Sequence, residues 1–184
     1  MNTRLTIQVV PSAHLSDADR KTIIALCNRA YEDDLEPLFD TFVGATHVLA
    51  YHKGHLVSHA LWVTRYLQVG SGPLLRTAYI EAVATDPAYR NRGFATTIMK
   101  RIVDEIGDYE LAALSPSSVV FYERLGWELW RGPLFIRTET DVLPTPAEEQ
   151  VMILRLPKTP SLDPNAPLSA EWRTGEKVVV RVPS

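Results

Sequence analysis

Val83-Ala84-Thr85-Asp86-Pro87-Ala88-Tyr89-Arg90-Asn91-Arg92-Gly93-Phe94-Ala95-Thr96-Thr97-Ile98-Met99 is the stretch that decides the fold. An apolar, β-branched run stops at Asp86-Pro87, a short loop delivers Arg-x-x-Gly-x-Ala, and an amphipathic helical pattern starts at once. Several backbone N–H groups with no helical partner therefore converge at the helix start, which makes an anion cradle. Gly93 lets the main chain approach a ligand without a Cβ in the way, and Ala95 nearly so. Arg90 and Arg92 add positive charge beside the positive end of the helix dipole. A pyrophosphate fits such a site.

Outward from this loop, strand and helix signals interleave irregularly, which favours a mixed α+β sheet over a doubly wound one. Residues 5–10 read as a strand, and Ser16 with Asp19 opens a helix to about Tyr31 that places Ile23, Leu26, Cys27 and Ala30 on one face. A short helix is expected at 36–42, then a hairpin of 48–51 and 56–69 about His52-Lys53-Gly54, and a strand over 76–85 after Gly70-Ser71-Gly72-Pro73. The cradle helix runs over 93–106, a buried strand over 111–114 and a helix over 117–125, stopped by Gly126. Two further strands are expected at 127–138 and 151–156. Residues 157–170, with Pro157, Pro160, Pro164 and Pro167, read as irregular, and 177–182 as a late strand.

At 184 residues, 46% hydrophobic and 22% charged, the chain is read as one domain, 1–184, in which 157–184 form a C-terminal extension completing the substrate side. A net charge of −3 argues against a nucleic-acid partner held by phosphate neutralisation. No apolar run approaches membrane-spanning length, the N-terminal apolar segment is too short for a signal-peptide core, and the expected location is the cytoplasm. The single cysteine, Cys27, lies in an apolar run and reads as a small buried hydrophobe.

Charge is unevenly distributed. Arg90, Arg92, Lys100 and Arg101 face only Asp86 within 86–101, whereas Glu32, Asp33, Asp34, Glu36 and Asp40 crowd together, and Glu139, Asp141, Glu148 and Glu149 occupy 139–150 without a base. One set of loops attracts phosphate and the other a polycation. Glu81 sits in a run, Ala78-Tyr79-Ile80-Glu81-Ala82-Val83-Ala84, apolar on both faces, so its carboxylate needs a hydrogen bond, an ion pair with Arg76 or Arg65, or a wet cleft. His52, His55 and His59 lack an obvious additional ligand, and no metal is expected.

The loop matches neither Gly-x-x-x-x-Gly-Lys-Ser/Thr nor Gly-x-Gly-x-x-Gly. It resembles the acyl-CoA-binding motif of the GNAT superfamily of N-acetyltransferases, and Ala113-Leu114-Ser115-Pro116-Ser117-Ser118-Val119-Val120-Phe121-Tyr122-Glu123-Arg124-Leu125-Gly126-Trp127 resembles that superfamily's later strand–helix block. The resemblance implies a GNAT fold, acetyl-CoA as cosubstrate and direct attack by an amine. It assigns the cofactor to Val83, Ala84, Thr85, Arg90, Asn91, Arg92, Gly93, Phe94, Ala95, Thr96 and Ser115, and the general acid to Tyr122, whose bland alternative is core packing. Glu81 is the candidate base.

Over most of its length the chain is similar to the aminoglycoside 2'-N-acetyltransferases, through Thr46-His47-Val48-Leu49, Trp130-Arg131-Gly132-Pro133, Pro144-Thr145-Pro146-Ala147-Glu148-Glu149 and Ala170-Glu171-Trp172-Arg173-Thr174-Gly175-Glu176. That similarity implies a cationic small-molecule substrate, an aminoglycoside acetylated at its 2'-amine and thereby inactivated as an antibiotic. Its ammonium groups are expected at Asp33, Asp34, Glu81, Glu148, Glu149 and Glu176. It also implies a homodimer. Acetylation of another small polyamine or a peptide N-terminus would use the same cofactor loop, and a module that binds acetyl-CoA without turnover would need neither Glu81 nor Tyr122.

Overall fold

The computed structural model describes residues 5–174; Glu176 and the strand expected at 177–182 lie outside the described residues. Two compact units share the chain, the first comprising residues up to 63 together with 80–106, the second 64–79 together with the chain from 107.

In the first unit, β1 (Thr6–Pro11) pairs antiparallel with β2 (Thr46–His52), which pairs antiparallel with β3 (His55–Val69) across a two-residue turn. The β2–β3 register shifts between Ala50 and Tyr51, the mark of a bulge. Helix α1 (Asp17–Tyr31) starts as its sequence dictates: the Ser16 hydroxyl accepts from the Asp19 N–H at 3.1 Å and the Asp19 carboxylate from the Ser16 N–H, a capping box that stabilises the helix by about 1 kcal/mol. Its inner face buries Ile23, Ile24, Leu26 and Cys27. The next helix, α2 (Glu36–Phe39), is shorter than the expected 36–42, with buried Phe39 meeting Phe42 edge to face.

From Val57 to Val63, β3 is buried on both faces, as befits an interior strand. Strand β4 (Leu74–Thr85) belongs to this unit from Ile80 onward. Helix α3 (Phe94–Glu105) follows, with Phe94, Ile98, Met99 and Ile102 forming one buried stripe.

The second unit contains β5 (Leu111–Leu114), α4 (Val119–Glu123), β6 (Glu128–Leu129), β7 (Leu134–Arg137), β8 (Val142–Pro144), β9 (Met152–Arg155) and β10 (Leu168–Glu171). With the remaining lengths of β3 and β4 the strand order is β6-β9-β5-β4-β3-β10-β7-β8. Strand β10 runs antiparallel to β3 and parallel to β7, so the sheet is mixed and the α+β class expected from the sequence is observed.

Three sequence expectations are corrected here. The helix at 117–125 contracts to Val119–Glu123, because Ser118 caps it by accepting from the Phe121 N–H. The single strand at 127–138 is broken in two. Its interruption lies where the Trp130 indole N–H donates to the Ala166 carbonyl (2.9 Å) and the N–H groups of Arg131 and Gly132 both reach Pro164 O (3.1 Å). A Cβ at Gly132 would stand 1.9 Å from Ala166 O, so only glycine fits this crossing. Finally, the segment read as irregular at 157–170 returns to the sheet as β10, beginning at Leu168.

Candidate functional site

The phosphate-binding features predicted for 90–96 belong to the first unit. Asn91 (φ 62°) and Gly93 (φ 77°) both lie in the left-handed region, a backbone conformation that recurs in anion-binding turns. Gly93 is the N-cap of α3, no side chain caps that turn, and the first helical bond is Thr97 N–H to Gly93 O at 3.0 Å. The amides of Phe94, Ala95 and Thr96 are thus the leading donors of the helix. Nothing lies within 4 Å of where a Gly93 Cβ would stand. An open, uncapped, doubly left-handed turn of this kind offers its backbone donors to an anion.

The side chains of that loop are less uniform. Phe94 is buried against Tyr89, its ring 6.4 Å away, so only its amide faces a ligand. Arg92 lies over the Tyr89 ring and Arg90 donates to the Ala30 carbonyl at 2.7 Å, so both exposed guanidiniums are tethered beside the loop. Asp86 ends the strand, accepting from Ala88 N–H and pairing with Arg29 at 2.7 Å.

Strand β4 reaches this loop with its carbonyls individually anchored. Ala82 O accepts from His59 Nδ1 (2.9 Å), Val83 O from the Tyr31 hydroxyl (2.8 Å), and Ala84 O from the Ser58 hydroxyl (2.9 Å). Because Ser58 gives its proton to Ala84, the 2.8 Å contact with Thr85 has the Thr85 hydroxyl donating. Ala82 is in the left-handed region (φ 50°) in the middle of the strand, and from Glu81 onward partly exposed and buried residues alternate: Glu81, Val83 and Thr85 against Ala82 and Ala84. Glu81 is therefore on the wetter face of its strand.

Asp33 and Asp34 lie exposed beyond the left-handed cap of α1 at Glu32. The Asp34 carboxylate accepts from the Glu36 N–H (3.0 Å), which starts α2. Their neighbours Asp40 and Glu36 pair with Arg20 at 2.7 and 3.6 Å, so the cation expected to offset this acidic cluster is in part the chain's own.

The second unit holds Tyr122, Ser115, Glu148 and Glu149. Tyr122 is buried on α4, edge to face with both Phe121 and Trp127. Burial pushes its phenol up to about 12, opposed by a hydrogen bond from the Ser117 side chain, so the ring keeps its proton throughout the physiological range. Ser115, exposed at the end of β5, bonds the Tyr79 hydroxyl at 3.1 Å. Glu148 and Glu149 are exposed after β8. Glu149 lines a groove of about 390 Å³ with Trp130, Phe135, Pro144 and Pro146. In the same unit Arg65 stacks on Tyr79 and donates to Glu171 O, and Arg76 lies 3.9 Å over Tyr109.

Cys27 is fully buried, and burial pushes its thiol up to about 12, so it is an inert core group. Among the described residues no group of three or more His, Cys, Asp or Glu is arranged to hold a metal, and no helix is long and apolar enough to cross a membrane. Sequence reasoning gave no role to the side chains of Tyr31, Ser58 and His47, and read His59 as a solvated or core-satisfied histidine rather than a metal ligand; the structure shows it core-satisfied. None of them carries a local motif; their roles come from what they reach on β4 and β2.

Residues 13–130 match the family model described as an acetyltransferase (GNAT) domain. The chain belongs to the GNAT acetyltransferase family. Members of this family use acetyl-CoA as acyl donor, in keeping with the uncapped turn at Gly93. The aminoglycoside 2'-N-acetyltransferase of Mycolicibacterium fortuitum is 32% identical over 173 residues, covering 89% of this chain and 88% of that protein. Among solved structures, the GNAT family N-acetyltransferase YhbS from Escherichia coli in complex with CoA aligns over 96% of this chain and 97% of its own, with a TM-score of 0.65 at 18% identity. Eis1 from Mycobacterium abscessus aligns with a TM-score of 0.57 at 24% identity over 67% of this chain, which spans only 31% of Eis1. The GNAT fold expected from the sequence is thereby established for this chain.

Proposed function

We propose that this GNAT enzyme acetylates an amine of an aminoglycoside, the 2'-amine, with acetyl-CoA as donor, and so confers resistance to the antibiotic. The observation that carries the reading is the 32% identity to an aminoglycoside 2'-N-acetyltransferase, sustained over 89% of the chain. Two exposed acidic groupings, Asp33 with Asp34 and Glu148 with Glu149, support a polycationic substrate, and Glu176, outside the described residues, is assigned the same role by the sequence resemblance.

Bound acetyl-CoA supplies the acetyl group already activated as a thioester. The main chain of Val83, Ala84 and Thr85 orients the pantetheine arm, the amides and arginines of 90–96 hold the diphosphate, and Ser115 contributes on the cofactor side. Glu81 takes the proton that the attacking ammonium must shed, directly or through a water. The Val83 N–H stabilises the developing charge on the thioester oxygen. Tyr122, neutral at working pH, gives its proton to the sulfur as the C–S bond breaks, so coenzyme A leaves as the thiol, and the second proton shed by the newly acylated nitrogen restores the phenol.

The decisive assay measures thiol release from acetyl-CoA with aminoglycosides bearing a 2'-amine against others bearing a 2'-hydroxyl. Turnover of the first group alone is expected. Equal turnover of both removes the 2' assignment, and turnover only of peptides or simple polyamines removes the aminoglycoside.

A further inference from the structure

Ala82 presents a problem of cost. A non-glycine residue in the left-handed region is disfavoured by about 1–2 kcal/mol, and inside a strand it also disrupts the ladder. Something must hold it there. One side chain that reaches it is His59, whose Nδ1 lies 2.9 Å from the Ala82 carbonyl.

That contact is the end of a longer line. A carbonyl only accepts, so His59 Nδ1 carries the proton and its Nε2 is bare. His59 Nε2 stands 3.0 Å from His47 Nδ1, which must then be the donor, leaving His47 Nε2 bare. His47 Nε2 stands 3.0 Å from Ser12 Oγ, whose hydroxyl donates to it. Every proton position is thus forced: Ser12 O–H to His47, His47 N–H to His59, His59 N–H to Ala82 C=O, all pointing the same way. Such aligned chains polarise one another and strengthen each link.

The imidazole part of the line is also dry. His59 is fully buried and His47 nearly so, with Phe39 against both rings and the Cys27 sulfur 3.6 Å from His59 Nδ1. Burying two imidazoles is unfavourable unless every ring nitrogen is partnered, and here all are. An apolar pair would fill the space without that demand, but it would leave the Ala82 carbonyl without this donor.

We propose that His59 and His47 are positioning residues for acetyl transfer. With Ser12 they form one directed hydrogen-bond line that clamps the Ala82 carbonyl, holds Ala82 in its left-handed conformation, and thereby sets the direction of the Glu81 carboxylate and the Val83 N–H. The inference rests on the acetyl-transfer reading of Glu81 and Val83 for its consequence, but the clamp itself is testable without turnover.

Nitrogen-edited NMR of the histidine rings in the wild-type protein at neutral pH reads the tautomers directly. Both His47 and His59 are expected as the Nδ1–H form, and an Nε2–H form on either ring overturns the line. His59→Leu removes the donor and is expected to lower kcat by about 10–100-fold, the scale of a small misplacement at a reacting centre, while coenzyme A affinity by calorimetry changes less than threefold. His59→Asn, whose amide N–H stands near the place of Nδ1, is expected to recover most of that kcat, and Ala82→Gly in the His59→Leu background to recover part of it, because glycine accepts positive φ without a clamp. Equal kcat in wild type and His59→Leu, or a loss that neither change recovers, overturns the proposal. Should His59→Leu not fold, the wild-type tautomers and His59→Asn decide it. Should the wild type release no thiol from acetyl-CoA with any amine, the acetyl-transfer reading fails, and the ring tautomers still judge the clamp: Nδ1–H on both histidines upholds it, Nε2–H on either refutes it.

Discussion

On the function proposed above, the stretch from Ala82 to Thr97 acts through its main chain, whereas that from Leu114 to Gln150 acts through individual side chains. The first stretch offers left-handed turns at Asn91 and Gly93, an uncapped helix start, and carbonyls pinned one by one by Ser58, His59 and Tyr31. The second offers one buried phenol and exposed carboxylates. A main-chain site is specified by backbone conformation, so its glycine and arginine spacing is readable, but its support is distributed over residues far away in sequence. A side-chain site reverses this: its support is local, as with Ser118 capping α4, while the decisive atom belongs to a residue type that is equally at home in a core.

The largest test of this contrast is Tyr122→Phe. Removing one hydroxyl from a ring that stays packed between Phe121 and Trp127 is expected to cut kcat by about 10²–10⁴-fold, the range of positioned proton transfer, with coenzyme A affinity unchanged by calorimetry. The pH profile sharpens it. With the phenol pushed up to about 12, kcat in the wild type should show no acid-group loss between pH 7 and 10. Unchanged kcat in the variant would return Tyr122 to the core and leave the second stretch without its acid.

How much of this was legible follows the same division. Ser16 with Asp19, the strand at 111–114 and the loop entering α3 are written locally, in caps, apolar runs and glycine placement, and they stand where the sequence puts them. The histidine line is not written locally. In a regular hairpin about residues 52–55, His47 would sit opposite Ala60, placing His59 on the other face. The register shift between Ala50 and Tyr51 instead puts Leu49 opposite His59, so that His47 and His59 become diagonal neighbours on one face. One extra residue in a strand thus decides whether the two rings meet, and no composition or period marks it. The broken strand after Trp127 was hidden for a like reason, since the crossing at Gly132 depends on Pro164 and Ala166 more than thirty residues later.

The buried histidines give the next test, of intermediate size. Burial lowers both below the ordinary value of 6.5, with the neighbouring His47 adding to the effect at His59. The unfolded chain therefore binds more protons than the folded one once pH falls below 6.5, and stability must fall with it. Each ring contributes a loss of about 1 kcal/mol between pH 6.5 and 5.5. Denaturant unfolding across that unit of pH should show a steeper decline in the wild type than in His59→Asn, which removes one titrating ring. Parallel declines would mean that His59 takes up a proton in the folded protein as easily as in water, and the dry, directed line would not exist.

The smallest effect separates a structural glycine from a functional one. Gly93→Ala meets no atom within 4 Å, so its cost to folding is the left-handed backbone alone, about 1 kcal/mol. A methyl group standing in that open space costs nothing further unless a ligand has to pass close to the main chain there. Coenzyme A affinity should then drop by about tenfold, and dephospho-coenzyme A, which keeps the diphosphate, should suffer equally because the loss arises at the turn. If affinity for both falls no more than the small stability loss predicts, the amides from Gly93 to Thr96 do not cradle the diphosphate, and the first stretch loses its claim to act through its backbone.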